Sequence, residues 1–227
     1  MKSKTQNPNH TTLDGLSSLD EYVLSHIDTE PEYLHRLWRA TNVHMLHGRM
    51  ASGHLQGRLL KMFVKMVNPL NVIEVGTFSG YSALCMAEGL SGEGHLYTFE
   101  INDEQEPFTR KWIEESPWAD RITFIIGDAA SEAKKIGKSF DLAFLDGDKR
   151  TYVETYKALL PLMNKGGFIL ADNTLWDGHV TEAEYDNDRQ TVGIRRFNDY
   201  IASDQRVEKV ILPLRDGLTI IRVKSEE

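Results

Sequence analysis

Asn71-Val-Ile-Glu-Val-Gly-Thr-Phe-Ser-Gly-Tyr-Ser-Ala83 reads as a buried strand, a glycine-bearing turn and the start of a helix. Val72, Ile73 and Val75 form a short apolar, β-branched run, the pattern of a parallel strand covered on both faces. The turn Gly76-Thr77-Phe78-Ser79-Gly80 follows at once, and Tyr81 to Leu90 has helical character. In an open α/β sheet, a turn at the carboxyl end of a strand is where nucleotide-like ligands bind. Glycine there lets the ligand approach the backbone.

The spacing narrows the ligand. A dinucleotide fingerprint is G-x-G-x-x-G around a pyrophosphate; here the pattern is Glu74-x-Gly76-x-x-x-Gly80. An acid beside a phosphate is repulsive, whereas beside a cationic ligand it is favourable. S-adenosylmethionine carries a sulfonium and an ammonium and no phosphate. A second acid, expected at the end of the next strand to hold ribose hydroxyls, is present as Glu100, closing His95-Leu-Tyr-Thr-Phe-Glu100. The bland alternative, an ordinary tight strand-to-helix connection, explains the glycines but neither acid.

The 227 residues, 41% hydrophobic and 26% charged, suit one soluble domain with a substantial core. No apolar run reaches a membrane span, and Met1 to His10 lacks the apolar core of a signal peptide. The single cysteine, Cys85, excludes an internal disulfide framework. It reads as a buried small hydrophobe in a cytoplasmic protein. A net charge of −8 argues against general affinity for nucleic acid or anionic lipid.

Residues 1–17 read as a flexible segment, and 18–227 as a single domain: a helical N-terminal layer over 18–67 and an α/β core over 68–227. Helices are expected from Ser18 to Ile27, from Pro31 with Tyr33, Leu34, Leu37 and Trp38 on one stripe, and from Gln56 to Val67. On a helix, His44 and His47 would share a face; hydrogen-bonded or solvated histidines explain them better than a metal pair. Strands are expected at Arg121–Ile126, Phe140–Leu145 and Phe168–Ala171. Helices are expected around Phe108 to Glu114, from Thr151 to Met163 and from Gly193 to Ser203. Val210–Leu214 and Leu218–Val223 flank the turn dipeptide Asp216-Gly217 as a hairpin. The alternation predicts a doubly wound, mostly parallel, Rossmann-like sheet with an antiparallel C-terminal hairpin.

Two strands end in oxygen ligands, one in Asp146 and one in Asp172-Asn173. Carboxyl ends of parallel strands share one sheet edge, so these side chains can converge on the cofactor turn. Two carboxylates and an amide carbonyl suit Mg²⁺, Ca²⁺ or Mn²⁺ rather than Zn²⁺, and leave positions for substrate. The alternative is that each acid caps a helix or makes an Asx turn. Lys149, in the same loop as Asp146, is a candidate general base if burial and a nearby cation lower its pKa; otherwise it is a solvated lysine starting a helix. Trp176 is either an apolar wall for an aromatic substrate or a core or interface residue.

Three ordered segments, Glu74-Val-Gly-Thr-Phe-Ser-Gly-Tyr-Ser82, Phe140-Asp-Leu-Ala-Phe-Leu-Asp-Gly-Asp-Lys149 and Gly166-Gly-Phe-Ile-Leu-Ala-Asp-Asn-Thr-Leu-Trp-Asp-Gly178, together with Leu212-Pro-Leu-Arg-Asp-Gly-Leu218, carry a resemblance. The chain resembles the cation-dependent, S-adenosylmethionine-dependent O-methyltransferases, which include the caffeoyl-CoA and catechol enzymes, from roughly Leu34 to Val223. The resemblance implies that Asp146, Asp172 and Asn173 are metal ligands and that Lys149 falls on a general base. It implies cofactor contacts at Ser52, Glu74, Gly76, Thr77, Ser82, Glu100, Ala129 and Asp146, and a homodimer.

Asp177 stands where the plant enzymes carry Asn, near their substrate, and Glu182 to Asp188 is acidic, which disfavours a phosphate-bearing CoA thioester. The expected acceptor is therefore a catechol-like, vicinal dihydroxy aromatic small molecule. An RNA nucleoside hydroxyl is the alternative acceptor. A nicotinamide-dependent oxidoreductase is the rival from another class, disfavoured by the absence of closely spaced glycines.

Overall fold

The computed structural model describes residues 18–225; the expectation for 1–17 lies outside the described residues. Three helices come first: α1 (Ser18–Ser25), α2 (Glu32–His44) and α3 (Gly53–Val67). The core follows as β1 (Asn71–Val75), α4 (Tyr81–Gly89), β2 (His95–Glu100), α5 (Glu106–Glu114), β3 (Ile122–Ile126), α6 (Ala129–Glu132) and β4 (Phe140–Leu145). It closes with α7 (Tyr152–Leu159), β5 (Met163–Asp172), α8 (Arg189–Ser203), β6 (Val207–Leu212) and β7 (Leu218–Val223).

The strands form one seven-stranded sheet in the order β3-β2-β1-β4-β5-β7-β6. The first five are parallel, and β7 runs antiparallel to both β5 and β6. Alternation sorts side chains to two cores. Val72, Leu142, Phe144 and Leu170 face one side with Leu34, Leu37, Leu60 and Val64 of α2 and α3. Ile73, Ala143, Leu145, Ile169 and Ala171 face the other with Tyr156, Ile194 and Phe197 of α7 and α8. Both faces being covered is what makes β1 and β4 near-continuous apolar runs. No helix among the described residues is long and apolar enough to cross a membrane.

Strand order reverses direction between β1 and β4, the switch point where a crevice opens beyond the carboxyl ends. The Asp146 amide donates to the Val75 carbonyl at 2.8 Å, so the β1 and β4 ends stay paired to the crevice edge. Gly76 adopts φ +97°, and a Cβ there would run into the Asp146 carbonyl, so only glycine fits.

Several local expectations shift. α2 stops at His44, and His47 lies beyond it at φ +61°, so the two rings do not share a helical face. Trp38 is 39% exposed, unlike buried Leu34 and Leu37 on the same helix. α3 starts at Gly53, and α8 starts at Arg189 because the Asp188 carboxylate accepts from the Thr191 amide at 2.8 Å. The hairpin's first strand is Val207–Leu212 rather than 210–214.

Candidate active site

A cleft of about 1100 Å³ lies over the switch point. Of the residues singled out from sequence, Ser52, Gly76, Glu100, Ala129, Asp146, Lys149, Asp172, Asn173 and Trp176 line it together. Glu74, Thr77, Ser82 and Asp177 do not.

Glu74 is fully buried beneath the glycine turn. Ser82 Oγ donates to its Oε1 at 2.5 Å and Thr98 Oγ1 to its Oε2 at 2.5 Å. Burial pushes this carboxyl up to about 8, opposed by those two hydroxyls and reinforced by Asp146 and Glu100. In the chain alone Glu74 forms a hydrogen-bonded brace that holds the turn from β1, α4 and β2 at once. Thr77 joins it through its hydroxyl, 2.5 Å from that of Thr98.

At the β2 end, Glu100 is fixed by two amides: Phe78 N–H donates to Oε2 at 2.8 Å and Asn102 N–H to Oε1 at 2.9 Å. Each oxygen keeps a lone pair for a hydroxyl donor. Ala129 opens α6, whose cap is the Asp128 carboxylate accepting from Ala130 N–H at 3.1 Å.

At the β4 end, Lys149 is 6% exposed. Its Nζ donates to Asp146 Oδ1 at 2.8 Å and to the Tyr152 hydroxyl at 2.9 Å. The Tyr152 hydroxyl lies 3.0 Å from the carbonyls of both Leu145 and Asp172, joining the ends of β4 and β5. Burial lowers the Lys149 pKa, but the Asp146 carboxylate and Tyr152 oxygen outweigh it and hold the ammonium above its ordinary range. In the chain alone the lysine is therefore held charged; the lowered pKa is expected with a cation beside it.

At the β5 end, Asp172 Oδ1 accepts from Asn173 N–H at 2.9 Å and Oδ2 from Gln56 Nε2 at 2.6 Å. Burial and then the Asp146 charge push Asp172 up to about 6, against Gln56, Lys149 and the Asn173 amide. Asn173 sits at φ +58°, and its Nδ2 donates to Asp216 Oδ2 at 3.3 Å, which turns Oδ1 to other partners. The β6–β7 turn is laced to the loop after β5: Leu175 and Trp176 amides donate to the Asp216 carbonyl at 2.7 and 3.0 Å. Among the described residues, no group of three or more His, Cys, Asp or Glu is placed to hold a metal. The candidate set holds two carboxylates and an amide oxygen.

Sequence reasoning missed Gln56, Tyr152, Arg215 and Asp216. Arg215 Nη1 donates to the Ser52 carbonyl and to Gln56 Oε1. Gln56 and Tyr152 carry no local signal, and Arg215 and Asp216 read only as part of a hairpin turn, since Gln56 and Arg215 meet from positions 159 residues apart in sequence.

A family of O-methyltransferases matches residues 24–224. A caffeoyl-CoA O-methyltransferase of Mesembryanthemum crystallinum is 35% identical over 233 residues, covering 96% of this chain and 91% of that protein. The fold is similar to that of an O-methyltransferase from Bacillus cereus in complex with SAH, with a TM-score of 0.84, 28% identity, and 91% and 97% of the two chains covered. It is similar too to TomG of Streptomyces achromogenes, involved in tomaymycin synthesis and solved with SAM, with a TM-score of 0.83, 26% identity, and 92% and 96% covered.

Proposed function

This chain belongs to the O-methyltransferase family and is an S-adenosylmethionine-dependent O-methyltransferase, and from that premise we propose that it methylates one hydroxyl of a vicinal dihydroxy aromatic small molecule with the help of a divalent cation. The observation that carries the reading is the convergence of Asp146, Asp172 and Asn173 with Lys149 in one cleft.

The donor set fits a hard dication. Burial first and repulsion from Asp146 second raise Asp172, and a bound dication would relieve that repulsion. All three donors are oxygens, the chemistry of Mg²⁺, Ca²⁺ or Mn²⁺. When bound, such an ion supplies Lewis-acid lowering of the acceptor hydroxyl's pKa. The Gly76 turn with Ser52, Glu100, Ala129 and Asp146 would hold the methyl donor. Glu100 would accept from the ribose hydroxyls, while Glu74, Thr77 and Ser82, which brace the turn, would meet the methionine part of the donor.

A phenol titrates near 10 and is mostly neutral at pH 7. With the Asp146 carboxylate engaged by the ion, burial alone would favour the neutral amine: Lys149 Nζ would first release its own proton to solvent and then accept the phenol's. Trp176 walls the cleft beside Asn173 for an aromatic ring. Positioning supplies the remainder, with the attacking oxygen held about 3 Å from the methyl carbon. Asp177, at φ +52° beside Trp176, would lie toward the substrate end of the cleft.

The reading further has the enzyme working in a reducing cytoplasm, supported by the single, buried Cys85. It acts as a homodimer, supported by exposed Val43, Leu46 and Met50 around the end of α2. Residues 18–225 act as one domain, with α1 to α3 as a layer on the core. The test is transfer of labelled methyl from S-adenosylmethionine to catechols, flavonoids and hydroxycinnamoyl esters, with and without EDTA. Chelator-sensitive labelling of vicinal diols is expected; labelling that ignores EDTA, or that is confined to isolated hydroxyls, overturns the reading.

A further inference from the structure

Arg215 holds a backbone conformation, φ +49°, that non-glycine residues rarely adopt. A residue kept against that preference points to a use for its side chain. The guanidinium leaves the β6–β7 turn and reaches α3, donating through Nη1 to the Ser52 carbonyl and to Gln56 Oε1. Ser52 and Gln56 are four residues apart, one helical turn, so a single group clamps the first turn of α3.

Gln56 is buried, and its other end donates through Nε2 to Asp172 Oδ2 at 2.6 Å. The direction of the amide follows from its neighbours. Arginine only donates and an ionised carboxylate only accepts, so Oε1 faces Arg215 and Nε2 faces Asp172. Without Arg215, nothing on that side fixes the amide, and the flipped form would turn Oε1 against the carboxylate. Oδ1 of Asp172 is already held by the Asn173 amide at 2.9 Å.

We propose that Arg215 is a positioning residue for the cation site, acting through Gln56 to fix the Asp172 carboxylate in the orientation that ligates the ion. The inference rests on the cation reading above. Partners that orient a metal-binding carboxylate are worth about 10–100-fold in metal affinity. Arg215→Gly suits the test, since φ +49° is a conformation glycine adopts freely and the variant folds without added strain.

The experiment measures Mn²⁺ affinity by titration calorimetry in the presence of S-adenosylhomocysteine, and S-adenosylhomocysteine affinity separately, for four proteins: wild type, Arg215→Gly, Gln56→Met and the double variant. Arg215→Gly and Gln56→Met are each expected to weaken Mn²⁺ binding about tenfold or more, with S-adenosylhomocysteine affinity unchanged within about twofold in Gln56→Met, which leaves the Arg215 bond to the Ser52 carbonyl in place. The double variant is expected to be no weaker than Gln56→Met, because one residue acts through the other. Arg215→Lys, which restores a donor to Gln56, is expected to recover part of the loss. If wild type binds no Mn²⁺, the cation reading falls and the relay with it. If wild type binds and Arg215→Gly binds equally well, or the two losses multiply, the relay alone is overturned.

Discussion

Lys149 Nζ lies 2.8 Å from Asp146 Oδ1, an ion pair between a buried lysine and a half-buried carboxylate at the carboxyl end of β4. The same two residues are assigned opposite tasks, one holding a cation and the other moving a proton, and the pair separates them experimentally. Lys149→Met removes the proton acceptor while leaving all three oxygen donors. Turnover is expected to fall by roughly 10²–10⁴-fold. Binding of S-adenosylhomocysteine by calorimetry is expected to stay near wild type. Full activity in this variant would remove the base role.

Glu74 gives the protein a pH signature. Its folded carboxyl is raised to about 8 from an ordinary 4.5, chiefly by burial. The folded state therefore holds a proton there that the unfolded chain releases, and stability falls as pH rises from about 4.5 to about 8. Glu74→Gln keeps the shape and removes the titration. Its melting temperature relative to wild type is expected to climb across that window; a difference that stays flat with pH would show that Glu74 is ionised throughout.

The segment joining α1 to α2 is tied to the core by the Tyr81 phenol and by the His54 ring, 2.7 Å from the Asp28 carbonyl. Tyr81, at the start of α4, donates to Glu30 Oε2 at 2.5 Å, and Glu30 Oε1 lies 3.2 Å from His35 Nδ1. Tyr81→Phe keeps the buried ring and strips the hydroxyl. Urea unfolding is expected to show a loss of about 1.5–3 kcal/mol, the range for a hydrogen bond to a charged group. Limited proteolysis is expected to cut sooner between residues 26 and 31. An unchanged midpoint and cleavage pattern would show that apolar packing of Leu34 and Leu37 suffices.

Much of this was legible before any coordinates. The Val72–Val75 run, the glycines of the turn and the acids ending β2, β4 and β5 were local signals, and the strand-end rule predicted that Glu100, Asp146 and Asp172 would share an edge. What could not be read was depth. Glu74 carries the same formal charge as Glu100, yet Ser82 and Thr98 close over one while the other lines the cleft. Nor could the partners of Asp172 be found, because Gln56 and Tyr152 reach it from helices on different stretches of chain. Nor could the Lys149 partners be read: its pKa depends on which groups it meets, and spacing names neighbours without fixing contacts.

The most direct measurement is an anomalous difference map from crystals grown with S-adenosylhomocysteine and soaked in Mn²⁺. A single strong peak bounded by carboxylate oxygens of Asp146 and Asp172 and the side-chain carbonyl of Asn173 is the predicted result. A cleft with the nucleoside bound and no such peak, or manganese held by other residues, would contradict it.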